Sequence, residues 1–308
     1  MSGERHWADI GEAGFVGGMR FLVWTFRWFG RLPFRIALYP VLGYFFLVRG
    51  IARRASLEYL QRLQAAHRVF PQPPGLGVAW RHFLSFADTL LDKVLAMGSA
   101  FTLDQITMDN QQAVLPLLAA GRGAVMLTAH VGNLEVCQAL AEMQPKLRLN
   151  ILVHHVNAQK FNRLLERQGA SQVRLIEVTE ITPATAMELE RRVAAGEMLV
   201  IAADRLTPGS ARRSLAVPFL GHDAHFPQGP FILASLLRCP VFLVFCTRRN
   251  GRYHIDFETF AERIERVRGA PDAGLRPWIA RYAERVEQQC RQAPLQWFNF
   301  YPFWAPPS

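Results

Sequence analysis

The chain has 308 residues, half of them hydrophobic and 19% charged, with 22 Phe, 7 Trp and a formal net charge of +10. It is long enough to bury one large core or two modest ones, and too apolar for a disordered chain. The charge speaks to partners and not to fold: nucleic acid, an anionic membrane surface, or an acidic protein or substrate would each be attracted. Four cysteines, Cys137, Cys239, Cys246 and Cys290, match no zinc spacing and include no CxxC. They read as buried free thiols of a reducing compartment, and no metal site is expected.

The first feature along the chain is residues 15–48, dominated by Phe, Leu, Val, Trp and Tyr but interrupted by Arg20, Arg27, Arg31, Arg35, Pro33 and Pro40. The longest uncharged run, 36–48, has 13 residues, whereas a full membrane span needs about 18. Arginines inside the apolar part and the lack of a small-residue cleavage pattern argue against a signal peptide. Two readings remain. The segment lies in a membrane interface, with arginines at the headgroups, or it is a helix pair of the soluble core. Arg49, Arg53 and Arg54 follow directly, and such a cluster favours anionic lipid on a cytoplasmic face. Residues 1–55 are therefore set apart as a membrane-associating helical segment, and 56–308 as the main domain.

Residues 56–70 carry helical apolar spacing through Leu57, Leu60 and Leu63, and the PQPPG stretch at 71–75 is a hard break. Residues 77–98 and 108–120 also read as helical. Beyond 121 the pattern alternates. Short aliphatic runs at 123–129, 149–154, 173–178, 198–203, 240–247 and 252–258 read as strands, most of them apolar along their whole length. Helices fit between them, most clearly 183–195, with Thr182 as N-cap, Pro183 at its first position and Gly196 after its end. The fold class expected is α/β: a mostly parallel central sheet flanked by helices, preceded by the N-terminal hydrophobic segment.

The stretch that carries chemistry is GRGAVMLTAHVGNLEVCQAL, residues 121–140. A buried strand runs into His130, Gly132 and Asn133 break it, and a helix opens near Leu134. His130 thus sits at the carboxyl edge of the sheet, where ligands of open α/β folds bind, with Glu135 in the first helical turn. On one continuous helix two residues five apart point away from each other, but a strand–turn–helix bend lets them converge. Glu135 can then hold one imidazole nitrogen and leave the other to work as a base. A His near a Glu is also common in ordinary packing, so the spacing alone leaves both readings open. The helix start would offer amides near Gly132–Leu134 to a developing oxyanion.

The stretch AHVGNLE resembles the H-x4-D/E signature of glycerolipid-type (lysophospholipid) acyltransferases, and the branch it is most similar to is the late acyltransferases of lipid A biosynthesis. AADRLTPGS…AVPFLG at 202–221, HFPQGPFILASLLRCPVFLVF at 225–245 and the N-terminal apolar segment are similar to that branch in the same order. The resemblance implies acyl transfer from an acyl thioester, on acyl carrier protein or coenzyme A, to a hydroxyl of a membrane lipid or glycolipid. It implies no other cofactor, and a place at the cytoplasmic face of the bacterial inner membrane. His130 would be general base and Glu135 its orienting acid. Gly132, Asn133, Asp204, Arg205, Gly229, His154 and His155 are the substrate-binding candidates, with Gly229 expected at a tight turn. Two departures stand out: Asp204-Arg205 where the branch commonly has Asp-Gln, and His154-His155 where an arginine often follows the strand, so the acceptor need not be a lipid A precursor. Trp297, Phe298, Phe300, Tyr301, Phe303 and Trp304 form an aromatic tail read as core capping, with a membrane contact as the alternative. A nucleic-acid-binding protein would explain the charge but brings no motif. A metal hydrolase would need a spacing such as H-E-x-x-H, which is absent. A non-catalytic membrane scaffold is the remaining alternative.

Overall fold

A computed structural model of the chain describes residues 28, 31–97, 106–134, 136, 147–153, 172–177, 182–206, 211–267 and 269–306. Among the described residues three helices come first: α1 (Arg31–Val48), α2 (Gly50–His67) and α3 (Leu76–Met97). The α/β part contains strands β1 (Ile106–Asp109), β2 (Ala124–Thr128), β3 (Leu149–Val153), β4 (Val173–Glu177), β5 (Met198–Ala202), β6 (Ser214–Phe219), β7 (His222–Pro227), β8 (Val241–Arg249) and β9 (Arg252–Ala261). Its helices are α4 (Leu115–Ala119), α5 (Pro183–Ala194), α6 (Gly229–Leu237) and α7 (Pro271–Gln292).

Among the described residues seven strands form one sheet in the order β1-β9-β8-β2-β5-β3-β4, and β6 and β7 form a separate hairpin. β8, β2, β5, β3 and β4 all run parallel; β9 is antiparallel to β8, and β1 pairs parallel to β9. The central strands are apolar throughout because both faces are covered. Val125, Leu127, Leu199, Ile201, Leu243 and Phe245 face one cluster, while Ala124, Met126, Met198, Val200, Val244 and Cys246 face the other. Every strand expected from the sequence is present to within a few residues. The described cysteines, Cys239, Cys246 and Cys290, are buried thiols outside any disulfide, and Cys137 lies outside the described residues.

Thr182 caps α5 as expected, its hydroxyl accepting from the Thr185 amide, and Leu189 and Val193 are the buried side of that helix. The helix expected over 108–120 is not formed. Its first part belongs to edge strand β1, and a 3-10 turn and the five-residue α4 follow. Met108 and Asp109 are drawn into the pairing with β9, and Asn110 then takes a positive φ that stops any helix from continuing out of them, so the Ala- and Leu-rich remainder forms only the short α4. Of the N-terminal helices, α1 packs Leu38 and Leu42 against Phe83, Ala87 and Leu91 of α3. Ile36, Tyr39, Tyr44, Leu47 and Val48 remain exposed.

Candidate active site

β2 is fully buried and delivers His130 to the carboxyl edge of the sheet, next to β5 on one side and β8 on the other. The turn that follows is built on one glycine. Gly132 has φ +71°, and a Cβ there would lie 1.9 Å from the Cys246 carbonyl oxygen, so only glycine lets the backbone approach β8 this closely. The approach is used: the Asn133 amide donates to Cys246 O at 2.8 Å, and the Gly132 amide donates to Gln296 O at 2.7 Å. The expectation that amides near Gly132–Leu134 serve an oxyanion is corrected for Gly132 and Asn133, because both are already hydrogen-bonded within the fold. Leu134 and Val136 are helical, consistent with a helix starting here, and Glu135 lies outside the described residues.

The imidazole of His130 meets an acid that the spacing did not suggest as its partner. Asp204, just beyond the end of β5, is fully buried. Its Oδ1 lies 2.7 Å from His130 Nδ1, and its Oδ2 accepts the His130 amide at 3.0 Å and the Trp297 indole N–H at 3.0 Å. β2 and β5 are hydrogen-bonded neighbours in register, Thr128 opposite Ala202, so two positions further along each strand His130 and Asp204 come side by side. Burial by itself pushes the Asp204 carboxyl up. The charge and hydrogen bonds of His130, with Arg205 nearby, outweigh it and hold the group down at about 2. Asp204 therefore stays ionised at neutral pH. The His130 side chain is 37% exposed.

The C-terminal segment closes the buried side. The Phe298 amide donates to His130 O at 2.9 Å, and Val131 pairs with Trp297 in an antiparallel bridge. Trp297 is fully buried against Tyr59, Phe219 and Phe303, which bears out the reading of the aromatic tail as a core cap and adds a polar task to it. His82, on α3 and buried against α2, accepts from the Ser56 hydroxyl at Nδ1 and donates Nε2–H to the Trp297 carbonyl. Burial lowers its pKa to about 4, so it is a neutral pin.

The other candidates separate. Asp204, read from the sequence as an acceptor-binding residue, stands behind His130 and away from solvent. Arg205 turns inward, Nε to Asn299 Oδ1 at 2.8 Å and Nη2 to the Phe298 carbonyl at 2.6 Å. Asn133 is buried and its amide group faces the Tyr253 hydroxyl at 3.5 Å. Gly229 opens α6 without a positive φ, and a Cβ there would meet nothing within 4 Å, so the tight turn expected of it is not what the fold needs. His154 and His155 lie outside the described residues. Sequence reasoning missed Trp297 as a site residue altogether; its only local signal is a Trp in an aromatic run.

A family model described as bacterial lipid A biosynthesis acyltransferase matches residues 92–305. The chain belongs to that family. No curated protein matches it. The matched range contains His130, Asp204 and Trp297, and begins at Asp92 on α3. Membership in the lipid A acyltransferase family makes this an acyltransferase of lipid biosynthesis, using a lipid acceptor and an acyl donor, in a family that is generally membrane-associated.

Proposed function

We propose that the protein is an O-acyltransferase. It moves a fatty acyl group from an acyl thioester, on acyl carrier protein or coenzyme A, to a hydroxyl of a membrane lipid or glycolipid. The observation that carries this reading is the 2.7 Å contact between His130 Nδ1 and the buried Asp204 carboxylate. An ionised carboxylate can only accept, so it holds the Nδ1–H tautomer and leaves the lone pair on Nε2. Nε2 takes the proton of the acceptor hydroxyl as its oxygen bonds to the thioester carbonyl carbon. The C–S bond then breaks, and the departing thiolate recovers the proton from the imidazolium, which Asp204 stabilises meanwhile. A thioester is already activated, so no acyl-enzyme is required. Burial supports that view by raising the Cys239 thiol to about 11 and the Cys290 thiol higher still.

In this reading Asp204 takes the orienting role expected of Glu135, and Glu135, His154 and His155 are kept as proposed acceptor-binding residues. Gly132 and Asn133 act by setting the turn, and Arg205 by tying Asp204's strand end to the C-terminal segment.

The place of work in this proposal is the cytoplasmic face of the bacterial inner membrane, with residues 1–55 as the attaching segment and 56–308 as the acyltransferase domain. α1 supports interfacial attachment. One side packs on α3, and the opposite side exposes Ile36, Tyr39, Tyr44 and Leu47. No described helix is long and apolar enough to cross a membrane.

The test is an acyl-transfer assay on the full chain and on His130→Ala, with long-chain acyl carrier protein and acyl-coenzyme A donors and a membrane-lipid extract. Thioester consumption that yields a new acylated lipid, reduced about a thousandfold or more in the variant, is expected. Transfer that survives the substitution would remove His130 as the base.

A further inference from the structure

The tip of the β8–β9 hairpin is cationic and lies beside the reacting edge of the sheet. Residues 246–253 read CTRRNGRY, with three arginines and no acid. Asn250 and Gly251 both take positive φ, which folds the two strands into a two-residue turn. Because β8 runs parallel to β2, this tip projects from the same edge that presents His130. The two are locked together: Gly132 bridges to Cys246, and Gln296 clamps both. Its carbonyl accepts from the Gly132 amide, while its side chain accepts from the Arg248 amide and donates to the Arg248 carbonyl.

Side chains alternate along a strand. Val244 and Cys246 face the cluster that contains Met126 and Tyr253, and Arg248 keeps that side, its guanidinium 5.9 Å from the Tyr253 ring. Gly132, two residues beyond His130, pairs with Cys246, two residues before Arg248, so His130 and Arg248 belong to the same carboxyl edge of the sheet. Arg248 is also held in place. Nη1 donates to Asp92 Oδ2 at 3.2 Å, and Asp92 is itself buried and accepts the Tyr253 hydroxyl at 2.6 Å. The Arg248 side chain is 40% exposed, and its Nε and Nη2 make no hydrogen bond among the described residues. Asp92 offsets one positive charge, but Arg249 and Arg252 face each other across the turn and keep the tip net positive.

We propose that Arg248 is a phosphate-binding residue of the acyl-transfer site, accepting a phosphate ester of a substrate while His130 works on the hydroxyl. A guanidinium fixed at one nitrogen presents its remaining N–H groups as a fork, the geometry that suits phosphate oxygens. The inference rests on the acyltransferase reading above. The phosphate belongs either to the phosphopantetheine arm of the donor or to the headgroup of the acceptor lipid.

The experiment uses the full chain with Arg248→Gln and Arg248→Lys, each checked for an unchanged melting temperature. Binding of inorganic pyrophosphate is measured by calorimetry, and transfer is measured with acyl-coenzyme A against S-acyl-N-acetylcysteamine, which has no phosphate. The acceptor arm sets a phosphorylated lipid against its dephosphorylated form. The glutamine variant is expected to bind pyrophosphate about tenfold more weakly, with Lys intermediate. If the donor supplies the phosphate, KM for acyl-coenzyme A rises about tenfold at constant kcat while the phosphate-free donor is unaffected. If the acceptor supplies it, KM for the phosphorylated lipid rises instead. Weakened pyrophosphate binding without any transfer by wild type would support the phosphate site and sink only the acyltransferase reading. Equal pyrophosphate binding by wild type and Arg248→Gln would overturn the proposal, as would a kcat loss equal across all substrates.

Discussion

Two acids are buried at the carboxyl edge of the sheet, and they are built alike. Asp204 accepts the indole N–H of Trp297 and faces His130; Asp92 accepts the hydroxyl of Tyr253 and faces Arg248. Both are tied to the turn at residues 130–133, one through the His130 amide and the other through the Asn133 side chain on Tyr253. What differs is the base. An imidazole gives and takes a proton near neutral pH, whereas a guanidinium keeps its proton throughout. One scaffold therefore makes a proton-transfer site out of the first acid and a fixed cation out of the second.

The largest effect expected from separating the two is in turnover. Asp204→Asn keeps the shape but no longer fixes the imidazole tautomer or balances its charge, so kcat falls about 10³–10⁴-fold with KM little changed. Asp92→Asn instead moves KM for the phosphate-bearing substrate by about tenfold and leaves kcat within a few-fold, since it loosens a binding residue and not the base. Steady-state kinetics on both variants check the contrast, and a KM effect at Asp204 with a kcat effect at Asp92 would reverse it. Glu135→Gln, measured beside them, tells whether the acid of the spacing motif shares the orienting task.

Gly132→Ala strikes the turn both networks depend on. Its Cβ would collide with the Cys246 carbonyl at a positive φ. A loss of at least ~2 kcal/mol of stability is expected, together with loss of activity, as read by chemical denaturation and by the transfer assay.

The two aromatic donors give a subtler contrast. Trp297→Phe removes a hydrogen bond to Asp204, so its carboxylate becomes more basic and favours imidazolium. The acid limb of the kcat/KM profile then moves to higher pH, with turnover lowered about tenfold. Tyr253→Phe is expected to leave that limb in place. In the wild type Asp204, at about 2, remains ionised across the whole working range, so the acid limb reports His130.

A last effect is on stability alone. His82 is neutral in the fold, with a pKa near 4 against an ordinary 6.5. Between those values the unfolded chain binds the proton first. Stability therefore falls by about 3 kcal/mol as pH drops from 6.5 toward 4 and changes little from this cause above 6.5. Denaturation of wild type and His82→Gln at pH 7 and pH 4.5 measures it, and equal pH dependence in the two proteins would count against it.

The parallel strands were legible because each is buried on both faces and reads as a continuous aliphatic run, as at 124–128 and 198–202. The α5 cap was legible because Thr182-Pro183 is a local signal. Edge strand β1 and the β6–β7 hairpin were not: β1 is four residues long with a half-solvated face, and the hairpin is broken by Pro218, His222 and Asp223, so neither carries a periodic pattern strong enough to read.

His130, the glycine turn after it and its place at the end of a central strand were determined by the sequence alone, since strand, breaker and helix start are adjacent along the chain. The identity of the acid on Nδ1 was decided only by the tertiary structure. Asp204 is 74 residues away and reaches His130 because β5 lies beside β2 in the sheet, an order set by how helices and strands pack. Trp297 arrives from the far end of the chain for the same reason. Hydrogen bonds to a buried carboxylate depend on which strand ends and tail segments share one edge, and no spacing along the chain encodes that.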